Sequence, residues 1–511
     1  EASGSLTADD PYDFQNYDAD GEMAVNAKYK PVSNISLEAT FNPDFSQIEP
    51  DAAQVDVNSS SVLAFPERRP FFQEARQLFY TWRFAYYSRM INDPKVAFKA
   101  SGKIGKTSFG YLSAYDEHSP FILPFEDASV YVLGKESYSN VLRWLHTVGE
   151  DSYIGLLATD RRFEGGGSGT MMNFDGQWRM HENYRLQVQA MASHINEPDD
   201  PELNEQISPY IERGWVDSTF GDEGYTALFD GESFNGYYWI INLEERARHL
   251  NFDIGYLEAG PTYRSDLGFQ RDGNWRSVET FGCYIIYFDN GWLEKLEPNF
   301  SITNRWNFDG QKKYRGGEFG LIADLRGQLI LSADYSTHSE SFRGIEFDNL
   351  WSIYGRASKS FSEQLYLRVS GDYGRQVSRS YLVTGKQTSL NLYAYIRPSD
   401  RLQIEPDYNY IKSVNTSDNS ILYEGYIFRT KAYYYFSRKF NIRLVAQYND
   451  IYETLNIDPL VTYRINPFTV FYLGTSYEYC EMTGTENGFE EDNVYLNQRQ
   501  FFVKLQYLFQ I

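Results

Sequence analysis

The chain ends in FFVKLQYLFQI, in which Phe501, Val503, Leu505, Tyr507, Phe509 and Ile511 fall on one face of a strand and Lys504, Gln506 and Gln510 on the other. A strand with one apolar and one polar face needs lipid or a core on one side and water on the other. The pattern recurs. Ile442, Leu444, Ala446 and Tyr448 oppose Arg443, Gln447 and Asn449. Leu365, Leu367, Val369 and Tyr373 oppose Arg368, Ser370 and Asp372, and Leu186, Val188 and Ala190 oppose Arg185, Gln187 and Gln189. Helical periodicity would place these opposed residues on overlapping faces.

Composition narrows what such strands can build. There is no uncharged apolar run of about 18 residues, so no transmembrane helix is expected. The chain carries a net charge of −23 and a mean hydropathy of −0.52, yet has 43 Tyr and 36 Phe. That profile fits a transmembrane antiparallel β-barrel of the outer-membrane type, whose residues alternate between lipid and lumen. A soluble all-β propeller is the alternative, but it would repeat every ~40–50 residues, and no such repeat is found. The connections instead alternate in length. Short ones lie at 31–34, 149–152, 181–183, 326–328, 397–400, 437–439 and 465–467; long ones at 43–92, 117–137, 195–232, 259–273, 374–388 and 481–496. Outer-membrane barrels pair tight periplasmic turns with extended outer loops in this way.

Counting segments predicts about 24 strands, within roughly 22 to 26, since the number in such barrels is even. The whole chain, 1–511, is read as a single multi-pass barrel of a Gram-negative outer membrane, in contact with lipid and lipopolysaccharide. With the short turns in the periplasm, the C-terminus is also periplasmic, and Tyr507 and Phe509 form the closing aromatic signal for membrane insertion. The acidic balance excludes nucleic acid as a partner, which would need clustered Lys and Arg. Cys283 and Cys480 stand far apart, outside any metal-ligand spacing, and a bridge between them is the less favoured reading.

A barrel of this size has a diameter on the order of 50 Å, too wide for its own side chains to fill. The longest non-alternating stretch, 43–92, contains FPERRPFFQEARQLF, whose two prolines rule out a central strand. It is expected to fold inward as a plug or constriction, with a loop over the rim as the alternative. Asn42, Pro43, Asp44, Phe45, Pro66, Glu67, Arg68, Arg69, Pro70, Phe71, Phe72, Glu74 and Arg76 are its candidate residues. Arg68, Arg69 and Arg76 are expected to pair with carboxylates of the wall, and Phe71, Phe72 and Phe79 to pack against it. Pro70 can open a short helix with Phe71, Ala75, Leu78 and Phe79 on one face.

NPDFSQIEPDAAQVDVN (42–58) followed by FPERRPFFQE (65–74) resembles the signature of a large family of outer-membrane barrels catalogued as a domain of unknown function (DUF5916). HENYRLQVQ (181–189) and YRSDLGFQRDGNWRS (263–277) match in order, so the resemblance extends over nearly the whole chain. It implies a barrel that is normally preceded by a domain resembling carbohydrate-binding family nine. This chain enters barrel sequence almost at once after Glu1, so no such module is expected in it. The family supplies no catalytic residues to carry over.

No enzyme is expected: nothing supplies a nucleophile with an orienting base. His118, His146, His181, His194, His249 and His338 are scattered without metal spacing. No cofactor is expected, and the absence of Cys-x-x-Cys-His excludes covalent c-type haem. GGGSG (165–169) reads as a flexible outer loop. The acidic loops around Asp199, Asp200 and Glu202 and around Glu490, Glu491 and Asp492 offer weak Ca²⁺ coordination, with a solvated, repulsive loop favoured over it. Three functions remain, ranked in this order. The first is porin-like passage, transport or secretion of an unknown cargo through a lumen constricted by 43–92. The second is a scaffold or sheath around a lipoprotein or multihaem cytochrome. The third is surface binding of a glycan or ion.

Overall fold

In the computed structural model the described residues are 2–6, 14–16, 23–43, 49–466, 469–482 and 493–507. Asp44, Phe45, Phe509, Glu490, Glu491 and Asp492 lie outside them. From Val25–Val32 to Asn493–Tyr507 each long strand pairs antiparallel with the next, and Ala2–Leu6 pairs with Asn493–Tyr507, bringing the two ends of the chain together. Among the described residues the sheet comprises 26 segments. Trp275–Tyr284 and Ile286–Tyr287 are pieces of one strand on Leu293–Trp306, and Phe14–Asn16 is a three-residue piece, which leaves the expected 24 strands.

The alternation read from the sequence appears directly in exposure. On Ser152–Phe163, Leu156 is 52% exposed and its neighbour Leu157 1%. Met172 and Met171 on the adjacent strand contrast in the same way, at 62% and 1%. Leu367, Val369 and Tyr373, and Phe501, Val503 and Leu505, likewise point outward and are exposed. An apolar, aromatic-rich outer surface on nearly every strand is far larger than any patch a soluble protein exposes. It is the lipid-facing surface of a transmembrane β-barrel. Among the described residues no helix is long and apolar enough to cross a membrane, which has no bearing on crossing by strands.

The connections differ from expectation at three points. The stretch 374–388 was expected as a long loop, but Leu365–Ser378 and Val383–Ser399 continue their ladder to Ser378↔Val383. Val377 is held there by Phe342, Phe347 and Leu350, which makes a strand of what reads locally as a polar loop. In 117–137 the chain forms a hairpin, Ser119–Pro124 with Ser129–Gly134. In 195–232 it forms a helix, Pro201–Glu212, rather than a solvated acidic loop. Pro201 stands at its first turn, and Asp200 Oδ1 accepts from the N–H of Glu202 at 3.0 Å, a regular N-cap. Leu203 and Ile207 then bury against Phe121, Val130, Val132 and Phe229, so hairpin and helix share a small core of their own.

Candidate functional site: the lumenal segment

Residues 49–92 lie against the inward faces of strands from both halves of the barrel. Phe72, Phe79, Met90 and Ile91 share one core with Leu112, Val141, Leu157, Met171, Met191, Tyr238 and Leu257 of the wall. Further along the wall, the backbone N–H of Ala53 donates to Gln447 Oε1 at 3.0 Å. Asn58 Nδ2 donates to the carbonyl of Val377 at 2.9 Å, and Tyr452 donates to Asp56 at 2.9 Å.

The knot of charge in FPERRPFF is internal to the segment. Glu67 takes Arg69 bidentately, Nε at 2.9 Å and Nη2 at 2.7 Å, and also accepts from Ser88 Oγ at 2.6 Å and from the N–H groups of Arg68 and Arg69. Arg69 in turn donates to the carbonyls of Ser88, Ile91 and Asn92, and its guanidinium lies 4.2 Å from the centre of the Phe72 ring. Burial would raise the Glu67 carboxyl, but Arg69 and Ser88 outweigh it and hold it below the usual range. Arg68 reaches Glu49 at 3.1 Å and Asp51 at 3.3 Å, both in the segment. Arg76 makes no ion pair among the described residues.

The expected pairing of these arginines with wall carboxylates is therefore corrected, and the sense of the contact is reversed. Glu49 receives Arg429 and Lys431 from the wall, and Glu74 receives Lys28. Lys99, 1% exposed, donates to the carbonyls of Phe71 and Glu74. Carboxylates and carbonyls of the segment face cations of the wall, while Arg68, Arg69 and Arg89 are spent on carboxylates of the segment itself. The expected single helical face is also absent. Pro70–Gln73 and Arg76–Phe79 are separate short helices, broken by Ala75 in the left-handed region at φ 58°. Phe71 is half-buried beside the core, with Lys99 4.7 Å from its ring centre. Pro66 accepts from Arg89 at 2.7 Å through its carbonyl. Asn42 makes the turn into the segment at φ 44°, its N–H donating to Lys95 O at 2.6 Å, and Pro43 lines a cavity beside Val503 and Leu505.

Two other stretches converge here. Gln189 clasps the backbone of Arg83, accepting from its N–H at 2.9 Å and donating to its carbonyl at 3.1 Å. The loop after Leu250–Ala259 exchanges backbone bonds with the segment, Tyr87 N–H to Leu267 O at 2.8 Å and Phe269 N–H to Phe84 O at 3.0 Å. Its Tyr263, Leu267 and Phe269, with Trp275 at the start of the next strand, join the same core. Arg161, fully buried on the wall, ties these parts together: it donates to the carbonyls of Pro120, Asp266 and Met90, to Ser137 Oγ, and to Asp116. Arg161 carries no local signal in the sequence, because its partners come from four separate regions. The described parts of the stretches that carry the resemblance, 49–74, Gln189 of 181–189, and 263–277, thus meet in one assembly.

Residues 5–106 match the family described as Domain of unknown function (DUF5916). The DUF5916 match spans the lumenal segment and the strands on either side of it; 181–189 and 263–277 lie beyond it. Among curated proteins none matches the chain. Solved structures similar to it include the siderophore receptor PirA from Acinetobacter baumannii, at 8% identity over 82% of this chain and 79% of that one, with a TM-score of 0.45. The copper transporter OprC matches at 10% identity over 81% and 78%, with a TM-score of 0.49. The FrpB iron transporter from Neisseria meningitidis matches at 12% identity over 81% and 79%, with a TM-score of 0.46.

The other side of the lumen is different in character. Ser370, Asp372, Ser389, Asn391, Asp407 and Asn409 form a polar inner surface, with Asn391 donating to Asp407 at 2.8 Å and to Asn409 at 2.7 Å. At the junction with the segment lies a cavity of about 590 Å³, lined by Asn58–Ser61 and by Asp127, Arg305, Lys313, Glu340 and Arg379. Three of its cations are paired: Lys313 with Glu126 and Asp127, Arg305 with Asp272, and Arg379 with Glu340.

Of the acidic candidates, Asp200 and Glu202 are taken by the helix cap and by Lys135, at 3.2 Å and 3.6 Å. Asp199 bridges to Asp230 through the backbone. Among the described residues, Glu197, Asp230 and Glu232 are brought together instead, with one carboxylate oxygen of each within 4.8 Å of the others. Burial, joined by Asp266 and Asp230 and only partly offset by Arg264, pushes the Glu197 carboxyl up to about 7.

Proposed function

We propose that the chain is an outer-membrane passage for a polar cargo, with residues 43–92 as its constriction. The observation that carries this reading is the asymmetry of the lumen. The segment packs an apolar core against one side, while the inner face of the strands from Leu365 to Asn415 keeps a hydrogen-bonded polar surface with half-exposed side chains. An aqueous route needs such a surface. In this reading the outward apolar rows sit among acyl chains, the short turns and the C-terminus face the periplasm, and the hairpin and helix cap the outer rim. The segment reaches the polar side through a few charge pairs, single hydrogen bonds and one small apolar cluster, Val55 and Val57 with Ile411, Leu422 and Tyr423, so its hold there is weaker than on the packed side.

Planar-bilayer recording of the full chain tests this. The wild type should conduct, and Glu49→Gln combined with Arg429→Ala should conduct more. If both are silent while protease cleavage shows 49–58 to be freed in the variant, the passage reading is overturned.

A further inference from the structure

At the rim, Glu197 follows the strand Tyr184–Asn196 and Glu232 precedes its partner Ser233–Arg246. The ladder runs to Asn196↔Ser233, and Glu197 N–H donates to Glu232 O at 2.8 Å, so the two carboxylates stand directly across from each other. Like charges in that position repel. Asp230 is brought to the same spot by its bridge to Asp199, and one carboxylate oxygen from each of Glu197, Asp230 and Glu232 lies within 4.8 Å of the other two.

A second observation points to a ligand. Glu197 is 7% exposed; one of its oxygens takes Arg264 Nη1 at 2.6 Å, but Oε2 is buried with no hydrogen-bond partner. Arg264 is shared with Asp266, at 3.0 Å, and its Nη2 and Asp266 Oδ2 are buried without a partner as well, so this one guanidinium does not satisfy the two carboxylates it serves. The hydrogen bonds to Glu232 and Asp230 come from the N–H and Oγ1 of Thr226, at 2.7 Å and 2.8 Å, and are neutral. A buried, unsatisfied carboxylate oxygen costs free energy that a cation would return.

We propose that Glu197, Asp230 and Glu232 form a binding site for a hard divalent cation of the Ca²⁺ class. All three donors are carboxylate oxygens, the chemistry that suits Ca²⁺ and not the softer metals, and the exposed side of Asp230 leaves room for water to complete the shell. The ion clips residue 197 to 230–232, the two ends of the excursion that carries Pro201–Glu212, and so orders the cap over the rim. The site lies outside the lumenal segment and does not depend on the passage reading.

The test uses the metal-stripped full chain in detergent, titrated with CaCl₂ by calorimetry, with Tb³⁺ luminescence as a second readout. One saturable site is expected in the wild type and in the control Asp199→Asn/Glu202→Gln. Asp230→Asn/Glu232→Gln, confirmed as folded by its heat-modifiable migration, should bind at least about tenfold more weakly. Ca²⁺ should also slow tryptic cleavage at the exposed Arg213 in the wild type but not in that variant. No saturable binding up to about 10 mM, beyond the range of weak extracellular sites, or equal binding in the double variant, would overturn the proposal and leave water as the partner of Glu197.

Discussion

Arg429 Nη2 donates to Glu49 Oε1 at 2.9 Å, joining a wall strand to the lumenal segment across 380 positions of sequence. Lys431 approaches the other oxygen at 3.5 Å. A hydrogen bond to a charged group contributes roughly 1.5–3 kcal/mol, a large share of the hold on a strap whose other wall contacts are single hydrogen bonds and the small cluster of Val55 and Val57 with Ile411, Leu422 and Tyr423. Arg429→Ala should free residues 49–58 and leave the apolar core intact. Hydrogen exchange should rise in that stretch and stay unchanged at 70–91.

The same contacts set a pH dependence. Burial would raise the Glu49 carboxyl, but Arg429, Lys431 and Arg68 prevail and hold it below the usual range, as Arg69 and Ser88 do for Glu67. A carboxylate whose native pKa is depressed stabilises the fold above its unfolded value of about 4.3, and that stability is lost as pH falls through the lower native value. The segment should therefore stay docked from neutral pH to about 5 and loosen in more acid solution. Limited proteolysis across that range checks this; release of residues 49–92 centred near neutrality would contradict it.

Under the segment, Arg143 and Asp175 form a bidentate pair, each 1% exposed, with Nη2 to Oδ2 at 2.8 Å. Removing one partner from such a pair costs about 3–5 kcal/mol, because the other charge is left buried alone. Asp175→Ala should lower the temperature at which the barrel loses its compact migration in detergent gels. Arg143→Met combined with Asp175→Leu should restore most of the loss. Gly155→Ala should act in the same direction, since its Cβ would come within 2.8 Å of Arg143 Nη1 and 2.9 Å of Asp175 Oδ1.

Phe72 and Phe79, each 4% exposed, are the main apolar anchors of the segment. Truncating either to Ala should cost about 3–5 kcal/mol of docking stability. Phe71→Ala, at a half-buried site, should cost less. Gly110 gives Phe79 its seat, since a Cβ there would lie 2.7 Å from the ring, so Gly110→Val should mimic Phe79→Ala. Hydrogen exchange over 60–92 reads all four variants, and equal protection in each would refute the anchoring role.

The alternation of apolar and polar residues was enough to determine the barrel, its strand number and the placing of its tight turns. A strand in a membrane has two unlike solvents, so each residue reports its face through its own polarity. The part of Leu365–Ser378 up to Tyr373 and the strand ending near Tyr507 were legible for that reason. Where a stretch escapes this two-solvent rule, the local pattern no longer decides. The three arginines expected to face the wall were resolved only by folding. Glu67 lies two residues from Arg69 and wins it, whereas the wall supplies Arg429 and Lys431 from more than three hundred positions away. Val377 looked like loop until Phe342 and Leu350 covered it. The acidic cluster at the rim was hidden because its members close the two ends of a long excursion, and spacing along the chain carries no trace of that meeting. Solvent exposure is a property of a residue and its immediate neighbours; the partner of a buried charge is a property of the closed chain.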